Sequence, residues 1–301
     1  MQQGGGNRRC ALRPDWSKLP LELLTTIFQQ LNTKELVRAE LCCKTWHSVL
    51  SKPQVPGLWG CVEIKLDELP NRLDLPPQDW DEHDVASEMF LPFCQWLQDR
   101  APGLESLHLM TAIESELTLA ELQLLRHLGS LRTLSIWSPP DSISALFPGG
   151  MAGYGQALGR LTMLTSLDLR HIGAPEFDPV QLCHMSSLRH LVLNYLDITV
   201  DFDVPCAWQN LTKLNLSGNR MNQMPGKLSV LHSLKMLHLE EQYGDFQITE
   251  PMDFLTQMKD LSQVQLWQKS DHSWNESSLY ALVQGRLLIR KTPGCKVSLH
   301  E

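Results

Sequence analysis

"LTKLNLSGN", Leu211–Asn219, spaces three leucines by three and then two, and closes on a glycine and an asparagine. On a strand, Leu214 and Leu216 point to the same side, because side chains alternate with a period of two. The phrase L-x-x-L-x-L recurs in both directions from here. It starts at Leu104, Leu131, Leu164 and Leu188 upstream, at Leu234 and Leu261 downstream, and in a degenerate copy, "GCKVSL", at Gly294. Successive starts lie 23 to 33 residues apart. One such phrase means little. Eight in near register define a stacked architecture.

Several intervals fall within the range of about 20–29 residues expected of leucine-rich repeats, and the longer ones read as loop insertions. Each copy supplies a short strand. Stacking the copies predicts an α/β solenoid over 91–301, with about eight repeats, parallel strands on the concave side and helices on the convex side. "LTLAELQLLRHLGS" and "DFLTQMKD" are helix-like stretches between phrases. Every anchor except Gly294 is Leu, Ile or Val, so the stack needs no metal or disulfide. An asparagine two residues beyond the last anchor would bond backbone groups of neighbouring repeats. Asn219 occupies that place once, while Ala112, Pro139, Ile172, Leu196, Gln242 and Lys269 occupy it elsewhere. Irregular turns are therefore expected rather than a continuous asparagine ladder.

The chain has 301 residues, a length suited to about two domains. Its 26 Lys+Arg stand against 34 Asp+Glu, which argues against nucleic acid as a partner of the whole surface. No apolar run approaches the ~18 residues of a membrane span. Residues 1–13, "MQQGGGNRRCALR", lack the apolar centre of a secretory signal and read as a flexible leader. Eight cysteines include no C-x-x-C pair, which suggests small buried side chains in a reducing, intracellular compartment, cytoplasmic and/or nuclear. The adjacent Cys42 and Cys43 read as helix core.

Ahead of the repeats, residues 14–59 form an all-helical block. In "WSKLPLELLTTIFQQL", Trp16–Leu31, residues Leu19, Leu21, Leu23, Leu24, Ile27, Phe28 and Leu31 cover an arc of roughly 200° when wound as a helix. A surface helix needs about half of that, so one apolar face is left over. Pro20 suits a first turn, and Asn32 or Thr33 is a cap for a second helix, "ELVRAELCCKTWHSVL". About 40 residues rarely bury this much apolar surface alone.

This block resembles the F-box family. The likeness runs through "LPLELLTTIFQQL", "EL" and "CKTW" and ends at Leu58-Trp59, with Cys42 standing where the family usually has valine. With the repeats behind it, the chain is similar to the F-box/leucine-rich-repeat proteins. The resemblance implies docking on a Skp-type adaptor of a cullin–RING (SCF) ubiquitin ligase, with the repeats holding a substrate protein. Carried over by position, the adaptor contacts are Trp16, Leu19, Pro20, Leu23, Ile27, Leu31, Leu36, Val37 and Trp46.

Residues alternating with the anchors face the concave side. One column reads His108, Ser135, Asp168, Val192, Asn215, His238, Gln265 and Ser298; the next reads Met110, Trp137, Arg170, Asn194, Ser217, Glu240, Trp267 and His300. Trp, Tyr and Arg dominate binding hot spots. The substrate is therefore expected on His108, Trp137, Asp168, Arg170, Asn194, Tyr195, His238, Glu240 and Trp267. Residues 60–90 read as a linker and lead-in to the first repeat, with an acidic run from Asp67 to Asp84. Asp81, Glu82, His83 and Asp84 are contiguous and ill-suited to converge on a metal. No nucleophile elbow, P-loop, dinucleotide fingerprint or zinc-protease motif is present in the sequence. A non-catalytic subunit without cofactor is expected. The alternatives are an F-box scaffold outside a ligase and a small-ligand sensor, the latter disfavoured by so short an arc of repeats.

Overall fold

The computed structural model describes residues 19–51, 58–65, 97, 103–110, 128–137, 158–172, 177–199, 202–222, 225–240, 242, 258–266 and 288–289. Three short helices come first: α1 (Leu21–Phe28), α2 (Thr33–Glu40) and α3 (Lys44–Leu50). Pro20 stands just before α1, and its carbonyl accepts from the amides of Leu23 and Leu24 at 3.1 and 3.0 Å. Asn32 is the cap of α2. Its side chain accepts from the Glu35 amide at 3.0 Å while the Glu35 carboxylate accepts from the Asn32 amide at 3.0 Å, a reciprocal capping box.

The expected single second helix is two helices. The break falls at residues 41–43, where Cys43 caps α3 by accepting from the Trp46 amide at 3.5 Å. The cysteines also differ from expectation. Cys42, Cys61 and Cys206 are exposed, and Cys43 and Cys183 are half-buried, so none of the described cysteines is core. Being small, each is tolerated at a turn, a helix cap or a strand end.

Nine parallel strands then follow in strict chain order: β1 (Cys61–Lys65), β2 (Ser106–Met110), β3 (Thr133–Trp137), β4 (Ser166–Arg170), β5 (His190–Asn194), β6 (Lys213–Asn215), β7 (Met236–Leu239), β8 (Gln263–Leu266) and β9 (Leu288–Ile289). The second anchors form one continuous column, Leu107–Leu134–Leu167–Leu191–Leu214–Leu237–Val264. The leading anchors Leu104, Leu131, Leu164, Leu188, Leu211, Leu234 and Leu261 are all buried. β2, β3, β4, β6 and β7 thus give alternate side chains to the core and leave the others on the opposite face, whereas β5 buries Leu191, Val192 and Leu193 in succession.

Two strands fall outside the phrase. "CVEIK" at β1 carries no leucine ruler yet pairs with β2, so the sheet begins directly behind the helical block and at the start of the presumed linker. The strand beside β8 is Leu288–Ile289, ahead of the degenerate phrase at Gly294, which lies outside the described residues. On the convex side 3-10 turns stand at Pro179–Leu182, Cys206–Asn210 and Leu228–Val230, and Leu97, Leu158 and Gly159 are α-helical. Intervals of 23 or 24 residues leave room for little more than one tight turn between strands, and the 3-10 form rises further per residue than an α-helix. Trp208 fills this side. It is fully buried, donates from its indole to the Leu182 carbonyl at 3.2 Å, and meets Phe202 edge-on.

Asn219 does what its position predicted. Its carboxamide oxygen accepts from the amides of Leu196 and Ile198 at 3.1 and 3.2 Å, and its nitrogen donates to the carbonyls of Leu193 and Leu216, both at 2.7 Å. Gln242 extends the ladder by one step, donating to the Leu216 carbonyl at 2.9 Å. Earlier repeats place buried Leu196 and Ile172 there instead.

Helices and sheet share one core. Leu58 and Trp59 are buried, and the Trp59 indole donates to the Leu50 carbonyl at 2.8 Å. On the outer edge of β1, the Glu63 amide donates to the Thr33 hydroxyl at 3.1 Å. An uncovered edge strand would invite pairing with another chain. Here α2 satisfies part of it.

Candidate functional site

The helical block divides its apolar residues between two faces. Leu24 and Phe28 are 1% exposed and face the core, whereas Leu21, Leu23 and Ile27 on the same helix are 51%, 53% and 44% exposed. Leu41, just past α2, is 76% exposed. The surplus arc read from the sequence is therefore a solvent-facing apolar surface. Pro20 is exposed beside it. Leu19, Leu31, Val37 and Trp46 are half-buried and pack against the core, with Trp46 edge-on to Phe28 at 5.4 Å.

Leu36 requires a correction. It is 2% exposed inside the block, so it packs the chain and offers no surface to an adaptor. Trp16 lies outside the described residues. Leu41 is the exposed apolar residue that the sequence reading placed in the core. On one continuous second helix it looks like core, and only the break after α2 turns it outward.

On the concave face the expected columns are in register. Met110, Trp137, Arg170 and Asn194 are lateral neighbours, as are His108, Ser135, Asp168, Val192, Asn215, His238 and Gln265. Trp137, His108, Asn194, His238 and Glu240 are half-buried. Trp267 lies outside the described residues, as do Ser298 and His300.

The chemistry along this face is uneven. Arg170 grips Asp168 with two bonds, Nε to Oδ1 at 2.7 Å and Nη2 to Oδ2 at 2.5 Å. Hydrogen bonding to this carboxylate raises the Arg170 pKa above its ordinary value, against some loss from burial. The fork occupies one edge of the guanidinium. His108 Nε2 lies 2.9 Å from the Ser106 hydroxyl. Burial, and secondarily the charge of Lys213, lowers the His238 pKa. Its Nε2 and the Asn194 carboxamide oxygen are buried without a hydrogen-bond partner.

Tyr195 belongs to a feature the sequence did not single out. His171, Tyr195 and Gly218 follow the strands of three successive repeats, and all three are left-handed, at φ 55°, 56° and 71°. The rings of His171 and Tyr195 stack at 4.1 Å and 11°. The Tyr195 ring in turn lies over Gly218, where an added Cβ would come within 2.3 Å of it. Glycine is thus required at 218 by both space and conformation.

Among the described residues no group of three or more His, Cys, Asp or Glu could hold a metal ion, and no helix is long and apolar enough to cross a membrane. The acidic run and its residues 81–84 lie outside the described residues.

Residues 16–56 match the family model of the F-box domain. A putative F-box protein of Arabidopsis thaliana is 33% identical over 86 residues, a stretch that is 29% of this chain and 20% of that protein. The chain thus spans about a fifth of the length of that relative. Solved structures similar to the chain include internalin C2 of Listeria monocytogenes (TM-score 0.43, 18% identity, covering 65% of this chain and 74% of that one). Another is a leucine-rich-repeat protein of Leptospira interrogans (TM-score 0.38, 18% identity, covering 65% and 57%). The chain carries an F-box domain followed by a leucine-rich-repeat-like solenoid of parallel strands. This pairing suggests an F-box protein with a role in protein interaction.

Proposed function

We propose that the chain is the substrate-recognition subunit of an SCF-type ubiquitin ligase. The F-box docks on a Skp-type adaptor and through it a cullin–RING ligase, and the concave face of the solenoid holds a target protein. The observation that carries this reading is the exposed apolar surface of Leu21, Leu23, Ile27 and Leu41 within the matched F-box. Burying a side chain of this size contributes about 1.5–3 kcal/mol. Four together offset a substantial part of the cost of association. On this reading the chain performs no bond chemistry. It works inside the cell, in cytoplasm or nucleus, by holding a target lysine near a charged ubiquitin carrier, which makes a bimolecular encounter effectively unimolecular.

The test is co-purification of the full chain with a Skp-type adaptor and a cullin. Leu23→Asp with Ile27→Asp, and separately Leu19→Ala with Pro20→Ala, should release the adaptor while the solenoid stays folded. Undiminished adaptor binding in both variants would sink the reading of this face. Adaptor binding without cullin recruitment would favour a scaffold outside the ligase. Proximity labelling with and without proteasome inhibition then identifies targets, which should accumulate under inhibition.

A further inference from the structure

The two edges of the sheet differ in charge. At the trailing edge, where the strands end, Arg170 is paired with Asp168 and Arg220 with Asp197 at 3.0 Å, and at the head of a convex turn Lys227 is paired with Asp203 at 2.6 Å. At the leading edge the pattern is opposite. Arg132, Arg189 and Lys235 each follow the first anchor of their repeat, all three are exposed, and none has an ion pair among the described residues. They stand on alternate rungs. The rungs between and beyond carry a hydroxyl at the same position: Thr165, Thr212 and Ser262.

On each cation rung a side-chain hydroxyl of the next repeat adds a third bond to the two amide bonds that the neighbouring rungs' carbonyls also accept. The Arg132 carbonyl accepts from the Thr165 amide, the Ser166 amide and the Thr165 hydroxyl at 2.8, 3.0 and 3.1 Å. The Arg189 carbonyl accepts likewise from Thr212 and Lys213 at 2.7, 3.1 and 3.1 Å. That of Lys235 accepts from Ser262 and Gln263 at 2.9, 3.0 and 3.1 Å. Each cation therefore projects from a carbonyl held three times over, on a rigid base. Lys213, in the adjoining column, adds to the positive strip. Acidic residues, Glu105 and Asp260, occur at its two ends.

We propose that this leading edge, from β3 to β7, docks an acidic polypeptide segment. Neighbouring parallel strands lie about 4.8 Å apart, so cations on alternate rungs recur at about 10 Å. A chain in the polyproline II form advances about 3.1 Å per residue with three residues per turn, which sets a carboxylate at every third position, about 9 Å apart and on one side, against one cation each. Nucleic acid fits less well. A duplex carries a charge per ~1.7 Å, far denser than this row neutralises. The described leading edge also presents no exposed Phe, Tyr or Trp for a base to stack on. The inference rests on the solenoid alone and stands whether or not the F-box engages a ligase.

Fluorescence anisotropy with the full chain tests it. The probe is a labelled peptide with glutamate at every third position; the controls are the same peptide with lysine and a single-stranded oligonucleotide of equal charge. The glutamate peptide should bind at low ionic strength and weaken as salt is added. Arg132→Gln, Arg189→Gln and Lys235→Gln combined should weaken it about tenfold. Arg220→Gln at the trailing edge should change nothing. Lys235→Glu alone gives a second measure if the triple variant melts early by circular dichroism. Equal binding by wild type and these leading-edge variants, or tighter binding of the lysine peptide or the oligonucleotide, would overturn the proposal.

Discussion

Leucine meets two fates in this chain. In the solenoid, Leu107, Leu134, Leu167, Leu191, Leu214 and Leu237 stack in one column at 0% exposure. In the helical block, Leu23 and Leu41 are more than half exposed at almost the same local apolar density. The difference lies in who supplies the partner. A repeat that cannot cover its own leucines finds an identical neighbour on each side, and the column closes on itself. Three helices of eight, eight and seven residues have no such neighbour. They bury Leu24, Phe28, Leu36, Val49 and Leu50 against one another and the sheet, and the remaining apolar face stays in water.

Substitutions can sharpen or break that contrast. The largest effect on stability is expected from Leu191→Ala in the middle of the column, a loss of about 2–5 kcal/mol read by chemical denaturation. The same change at Leu41 should stay within about 0.5 kcal/mol. If the two cost alike, the contrast drawn above fails. Next comes Asn219→Leu, which strands the buried amides of Leu196 and Ile198 and should cost about 1–3 kcal/mol per unsatisfied group. Gln242→Leu removes two donated bonds, to the carbonyls of Leu216 and Glu240, and no accepted ones, and should cost less in the same measurement. The Leu23→Asp/Ile27→Asp pair reverses the order of effects. Adaptor affinity should fall by about two orders of magnitude, or about 2.7 kcal/mol, while the melting temperature barely moves. A Leu36→Ala control should do the opposite, lowering stability through a cavity.

The smallest effect concerns pH. His238 has a folded pKa below its ordinary 6.5, so the unfolded chain takes up its proton first as pH falls. Stability from this group is complete above 6.5 and is lost progressively as pH drops below that value. His238→Gln should flatten the dependence of the urea midpoint over that window. An unchanged slope would show that the ring is not held neutral on this face.

The solenoid was legible because its signal is local and repeated. Each L-x-x-L-x-L carries its own strand periodicity, and seven strong copies corrected one another's noise. β1 was not legible, because "CVEIK" has no ruler and is recognisable as a strand only from its pairing to β2. The break between α2 and α3 was hidden for a similar reason. "ELCCKTW" keeps a helical apolar spacing straight through a turn, and the capping sulfur of Cys43 is a weak signal. That single misreading placed Leu41 inside and left both cysteines in the core.

The candidate surfaces follow the same division. The width of the apolar arc on α1 was readable from angles alone, because a helix fixes where each residue points. Which residues of that arc stay exposed depended on what the rest of the chain brought to them: Leu24 and Phe28 are covered, Leu23 and Ile27 are not. The concave columns came from counting by two. The Arg170–Asp168 fork, the His171–Tyr195 stack over Gly218 and the unpaired leading edge came from register and side-chain geometry. Periodicity along one chain is a one-dimensional property, so sequence states it outright. Whether a charge is neutralised or a leucine covered depends on atoms from other repeats and other helices, and those distances exist only after folding.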